Sequence, residues 1–130
     1  MNWKKIVVVA AAVFLAEVLV GFVMGGLAWS IDLAVAKERL VWSTSLSFLF
    51  ATLIFAALAV RQYDRPAVHA TLALLLTLVL SLAVGGLFPA SLSDRPGILV
   101  ALEWLTLAMG LVVGTTIGGY LRVRGVGAGA

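Results

Sequence analysis

The sequence predicts an all-α fold, a membrane four-helix up-down bundle with both termini cytoplasmic. Hydrophobic residues make up 63% of the 130 residues and charged residues 12%, whereas soluble domains are typically about 45–50% apolar and about 25% charged. Four apolar runs reach the roughly 20 residues that cross a hydrocarbon core. Because too little polar surface remains to cover a water-soluble globule, we expect 1–130 to form a single transmembrane domain.

The four apolar runs are expected to be helices, over about 6–29, 40–60, 67–88 and 98–121. Backbone polar groups in lipid need internal partners, which only helices and closed barrels supply. The runs lack the alternation of polar and apolar residues that is typical of barrel strands. Short polar loops are expected over 30–39, 61–66 and 89–97, and the tail 122–130 is predicted to be flexible.

Lysine and arginine set the predicted orientation. Cytoplasmic segments of membrane proteins carry an excess of these residues. If the N-terminus is inside, six basic residues lie at the inner ends of the helices and three in the outer loops. We therefore expect both termini in the cytoplasm. The inner group is Lys4, Lys5, Arg61, Arg65, Arg122 and Arg124, and the outer group is Lys37, Arg39 and Arg95.

Small residues recur at four-residue spacing along all four predicted helices. Residues four apart share one helix face, and small residues there let membrane helices approach closely. We interpret these residues as packing positions within the bundle. The alternative is that the long glycine stripe of the fourth helix mediates a homodimer or a larger membrane complex. The predicted packing residues are Gly21, Gly25, Ser81, Gly85, Gly110, Gly114 and Gly118.

Glu17 is the most informative residue because it lies near the bilayer midplane. It is about 16 Å along the first predicted helix, at a rise of 1.5 Å per residue. An acidic side chain at this depth costs about 2.5–3.5 kcal/mol on insertion scales. We therefore expect Glu17 to be neutral and to face other helices. Candidate hydrogen-bond partners at comparable depth are Thr77, and Ser47 or Thr52.

Glu103 is the second acidic residue within an apolar run. It is expected in the outer half of the bilayer, about 10 Å from Glu17 along the membrane normal. That separation argues against a pair of catalytic carboxylates. We interpret both glutamates as buried polar contacts between helices, and the alternative is a proton, cation or ligand site. His69, at the start of the third helix, is expected to be a polar cap.

Composition and motifs argue against several functions. The chain has no cysteine and one histidine, which removes thiolate chemistry and argues against a metal site. No catalytic triad or phosphate-binding loop is evident, and the basic residues form no patch suited to nucleic acid. We therefore expect no enzymatic activity, cofactor, metal or nucleic acid, and expect the lipid bilayer to be the main partner.

Two resemblances add to this interpretation. Residues 15–18 (Leu-Ala-Glu-Val) resemble the first helix of small multidrug resistance transporters, which implies proton-coupled export through Glu17. Over most of its length the chain is more similar to uncharacterised small bacterial four-helix membrane proteins, which implies the cell inner membrane and no known activity. The similar segments are 1–4, 25–27, 86–90 and 118–121. We therefore expect a structural or accessory membrane protein, or alternatively a proton-coupled small transporter or channel using Glu17.

Overall fold

The computed structural model describes residues 2–25, 33–62, 64–87 and 97–125, with the side chains of 24, 25 and 33–36 outside that description. This part of the chain contains four helices and no strand, so the predicted all-α class is confirmed there. The helices are α1 (Trp3–Gly25), α2 (Leu33–Arg61), α3 (Pro66–Leu87) and α4 (Gly97–Val123).

The helix bounds differ from the predicted ones mainly at the start of α2. This helix begins at Leu33, so Lys37, Glu38 and Arg39 belong to its first turns rather than to a loop. Leucine, alanine, lysine, glutamate and arginine are all strong helix formers, and no glycine or proline interrupts the segment. The predicted helix ends and loop residues at 26–32 and 88–96, and the tail at 126–130, lie outside the described residues.

Each of the four described helices is long and apolar enough to cross a membrane. Large apolar side chains such as Phe22, Val8 and Leu82 are exposed on the outer surface. Polar side chains, including Ser47 and Thr77, are buried inside. An apolar exterior of this extent is not a soluble surface. These features indicate a multi-pass membrane protein.

The closest packing joins α2 to α4. Gly110, Gly114 and Gly118 are buried in this contact. A Cβ atom on Gly110 would lie 2.7 Å from the Ala51 Cβ, and one on Gly114 would lie 2.5 Å from the Thr52 carbonyl oxygen. The two helices run parallel, because residue numbers rise together along the contact. Packing of the glycine stripe within one chain favours the intramolecular interpretation over a homodimer through this face.

Side-chain hydrogen bonds fix the direction of α1. The Thr77 hydroxyl of α3 donates to the Ala10 carbonyl, 3.3 Å away. Near the start of both helices the backbone N–H of Asn2 donates to the His69 side chain, so α1 and α3 run parallel. The apolar core lies among all four helices, and its buried members are Ile6, Ala10, Val13, Ala51, Phe55, Leu58, Ala70, Ala73 and Leu107.

Candidate functional site

Glu17 contacts α2 through a hydrogen bond in the apolar part of the bundle. The Ser47 hydroxyl donates to the Glu17 Oε2, 2.9 Å away. Ser47 is buried and Glu17 is half-buried, so the carboxyl group lies at the contact between α1 and α2. Of the three candidate partners named from the sequence, the structure brings Ser47 to Glu17.

The other two threonines make different contacts. The Thr77 side chain is 1% exposed, and its hydroxyl donates to the carbonyl groups of Ala10 and Ala73. The Thr52 Oγ1 is buried without a hydrogen-bond partner among the described residues. The Thr52 backbone lies against Gly110 and Gly114 of α4. Thr77 therefore joins α3 to α1, and Thr52 belongs to the contact between α2 and α4.

Glu103 lies on α4 near the level of Ser47. Ser47 is one turn before Ala51, and Thr106 is one turn before Gly110, which packs on Ala51. Ser47 and Thr106 therefore share a level, and Glu103 is about 4.5 Å nearer the start of α4 at 1.5 Å per residue. The expected separation of about 10 Å between Glu17 and Glu103 along the normal stays a prediction.

The predicted packing residues on α1 and α3 are less enclosed than those on α4. Gly21 is exposed, and a Cβ atom there would meet nothing within 4 Å among the described residues. Gly21 therefore does not serve the predicted packing role in this arrangement. Ser81 and Gly85 are half-buried. The surroundings of Gly25 lie outside the described side chains.

A second polar cluster lies at the end of the bundle where α2 ends and α3 begins. Gln62 is 8% exposed and His69 is 2% exposed. The Gln62 amide nitrogen lies 3.4 Å from the His69 Nε2 and donates to the Asp64 carbonyl at 3.2 Å. Two buried polar side chains at a helix end are stable only when their polar atoms have partners.

The hydrogen-bond partners of His69 assign its tautomer. Its Nδ1 lies 3.1 Å from the Arg65 carbonyl oxygen, which can only accept, so Nδ1 carries the proton. Its Nε2 then accepts from the backbone N–H of Asn2, 3.3 Å away, and from the side-chain amide of Gln62. His69 is therefore a neutral side chain that connects the start of α1 to the turn between α2 and α3, rather than a simple cap on α3.

No family model, curated protein or solved structure matches the chain. Within the described residues no group of three or more metal-ligating side chains comes together. The side chains of the two polar clusters can form hydrogen bonds, and the glutamates can exchange protons.

Gln62 joins all four helices to this cluster. Its side-chain oxygen accepts from the Lys5 Nζ of α1 at 3.1 Å, and its carbonyl accepts from the Arg122 Nη1 of α4 at 2.7 Å. Its amide group faces His69 of α3. The sequence pattern does not single out Gln62. The available signal was its place directly after the uncharged stretch of α2, where a polar residue reaches the membrane interface.

Proposed function

We propose that this chain is a small integral membrane protein with a structural or accessory role. In this proposal it crosses the bacterial inner membrane four times as an up-down bundle, with both termini cytoplasmic. The hydrogen bond between Ser47 and Glu17 carries the proposal, since it gives the mid-membrane acid a specific partner on a neighbouring helix. Polar contacts of this kind hold membrane helices together.

Contacts at one end of the bundle support the up-down arrangement. The start of α1 meets the end of α2 through Lys5 and Gln62. The end of α4 meets the same place through Arg122, and the start of α3 contributes His69. Several basic residues gather at this end, which is the distribution expected of the cytoplasmic side. Reporter fusions at both termini test the orientation, and a periplasmic signal from either fusion contradicts it.

The surface grooves also favour a structural role for Glu17. A groove of about 360 Å³ lies between α2 and α4, and one of about 500 Å³ lies between α1 and α2. Glu17 lines neither of them. A transport site needs a route by which water or substrate reaches the carboxyl group, and these two grooves do not provide it.

Replacement of Glu17 tests the structural role directly. Glu17→Gln keeps a side chain that hydrogen-bonds Ser47, so we expect assembly and stability close to those of the unmodified protein. Glu17→Leu removes the bond, and we expect a loss of about 0.6–1.7 kcal/mol in the free energy of unfolding, the range for such contacts in membranes. Denaturant titration in mixed micelles measures both. Equal stability of the two variants would show that the contact with Ser47 has no structural role.

The presence of two acidic residues, Glu17 and Glu103, within membrane-spanning helices favours a second candidate function. Two acidic groups that lie near each other in lipid are stabilised by sharing a proton or a cation. We propose, as the alternative, a proton-coupled transporter or channel with Glu17 at the midplane. Proton flux into proteoliposomes under a pH gradient tests it. Flux that Glu17→Gln abolishes supports transport, and an absence of flux in the unmodified protein rejects it.

A further inference from the structure

The groove between α1 and α2 has a charged mouth and an apolar floor. Its mouth carries Lys4, Lys5 and Arg61, and Asn2 lies beside them. Its volume of about 500 Å³ lies within the roughly 300–1,000 Å³ typical of small-molecule sites. The apolar part of the lining is Val8, Val9, Ala12, Ile54, Ala57 and Leu58.

Among the described residues, the three cations at the mouth have no acidic partner. No acidic side chain lines the groove, and within the described part of the chain Lys4 and Arg61 form no ion pair through their side chains. The Lys5 Nζ donates to Gln62 and to the Arg61 carbonyl, which leaves one of its three N–H groups for another acceptor. The mouth therefore has a net positive charge that nothing in the described chain neutralises.

The apolar floor extends along the helices for less than half of one leaflet. The whole groove is about 12 Å long from Lys4 to Ala12, and its apolar part from Val8 to Ala12 is about 6 Å long at 1.5 Å per residue. One leaflet contributes about 15 Å of a hydrocarbon core of 30 Å. Leu58 is buried at its base, whereas Val8 and Ala57 are exposed along its sides. The floor therefore opens sideways to lipid, as a site for an acyl chain must.

We propose that this groove binds an anionic phospholipid, with the phosphate at Lys4, Lys5 and Arg61 and one acyl chain along the apolar floor. Guanidinium groups bind phosphate through paired hydrogen bonds, and basic pockets between helices on the cytoplasmic side suit acidic headgroups. A zwitterionic lipid fills the floor equally well but does not neutralise the mouth. The site is independent of the role of Glu17, because Glu17 does not line the groove.

Competition between two lipids in native mass spectrometry tests the site on the full-length protein in neutral detergent. The probes are phosphatidylglycerol and phosphatidylcholine with identical acyl chains. We expect phosphatidylglycerol to be retained in preference. The double variant Lys4→Gln with Arg61→Gln should lower its affinity by about 25-fold, at about fivefold for each cation near an anionic surface, and should leave phosphatidylcholine binding unchanged.

A matched control removes the same charge at the same end of the bundle. Arg65→Gln with Arg124→Gln also neutralises two cations, and both residues lie outside the groove. This control should keep the preference for phosphatidylglycerol. An equal loss in the control and in the groove variant would mean that binding follows net charge alone, and the proposed site would be rejected.

A third variant tests the apolar floor without changing charge. Ala57 is exposed on the side of the groove, so Ala57→Trp obstructs the floor without disturbing the core. We expect about a tenfold loss of phosphatidylglycerol affinity, which corresponds to about 1.4 kcal/mol. Unchanged affinity would reject the acyl-chain assignment. Displacement of the lipid by millimolar glycerol phosphate would also reject it, since the site would then bind a free phosphate anion.

Discussion

Gly114 provides the sharpest test of the contact between α2 and α4. In Gly114→Ala, the new Cβ would lie 2.5 Å from the Thr52 carbonyl oxygen, 2.9 Å from the Phe55 Cβ and 3.1 Å from the Ala56 nitrogen. Ordinary contact begins at 3.4 Å, so the closest pair must separate by 0.9 Å, which is 3.4 minus 2.5. Two of the three crowded atoms belong to the backbone of α2, so relief requires a movement of the helix.

The size of the effect follows from this separation. A gap of about 0.5–1 Å removes a quarter to a half of the attraction at each contact that it opens, and overpacking of a well-packed interior costs about 1–3 kcal/mol. Alanine raises helix propensity by about 1 kcal/mol relative to glycine, which offsets part of the cost. We therefore expect Gly114→Ala to lower the free energy of unfolding by about 0–2 kcal/mol relative to the unmodified protein.

Gly119→Ala is the matched control on the same helix. A Cβ atom on Gly119 would meet nothing within 4 Å in the described structure, so only the gain in propensity applies. Sodium dodecyl sulfate titration in mixed micelles, followed by circular dichroism, measures both variants. Because both variants gain the same helix propensity, we expect Gly119→Ala to be more stable than Gly114→Ala by the overpacking cost alone, about 1–3 kcal/mol. If the two variants unfold together, α2 and α4 are not packed as described.

Two further substitutions test the polar contacts by the same titration. Thr77→Val removes the hydroxyl that donates to Ala10 and should lower the free energy of unfolding by about 1 kcal/mol. The control is Thr71→Val, which removes an exposed hydroxyl that bonds within α3 and should change stability by less than about 0.5 kcal/mol. Equal effects of the two variants would contradict a role for the bond to Ala10. Gln62→Leu removes the side-chain partner of Lys5 on α1 and of His69 on α3, while the backbone carbonyl that accepts from Arg122 remains. This variant should cost about 1–3 kcal/mol, so an unchanged midpoint would show that water replaces the amide.

The fold class follows from the sequence because lipid restricts the possible structures. In a bilayer, a run of about 20 apolar residues forms a helix, because a helix gives the backbone polar groups internal hydrogen-bond partners. The start of α3 at Pro66 could also be predicted from the sequence, because proline suits the first position of a helix. The start of α2 was placed too late because charged residues were interpreted as a loop, although Lys37, Glu38 and Arg39 continue the helix.

The partner of each buried group was harder to predict, because the sequence indicates the depth of a residue in the membrane but not how each helix is rotated about its axis. Thr77, Ser47 and Thr52 are predicted at similar depth, and the rotation of each helix decides that Ser47 meets Glu17. The spacing of Gly110, Gly114 and Gly118 identifies a packing face, yet it does not say which helix covers it. Gly21 belongs to a similar pattern and remains exposed.

The parallel contact between α2 and α4 has a consequence for the order of synthesis. The strip of α2 that receives the glycines, Ala51, Phe55 and Ala59, is made before its partner exists. At about 5–20 residues per second, translation from the end of α2 to the end of α4 takes roughly 3–12 s. Throughout that interval α4 does not cover the strip. A chain whose synthesis stalls before Gly110 therefore leaves this strip of α2 without its α4 partner, and the contact forms only once α4 has been made.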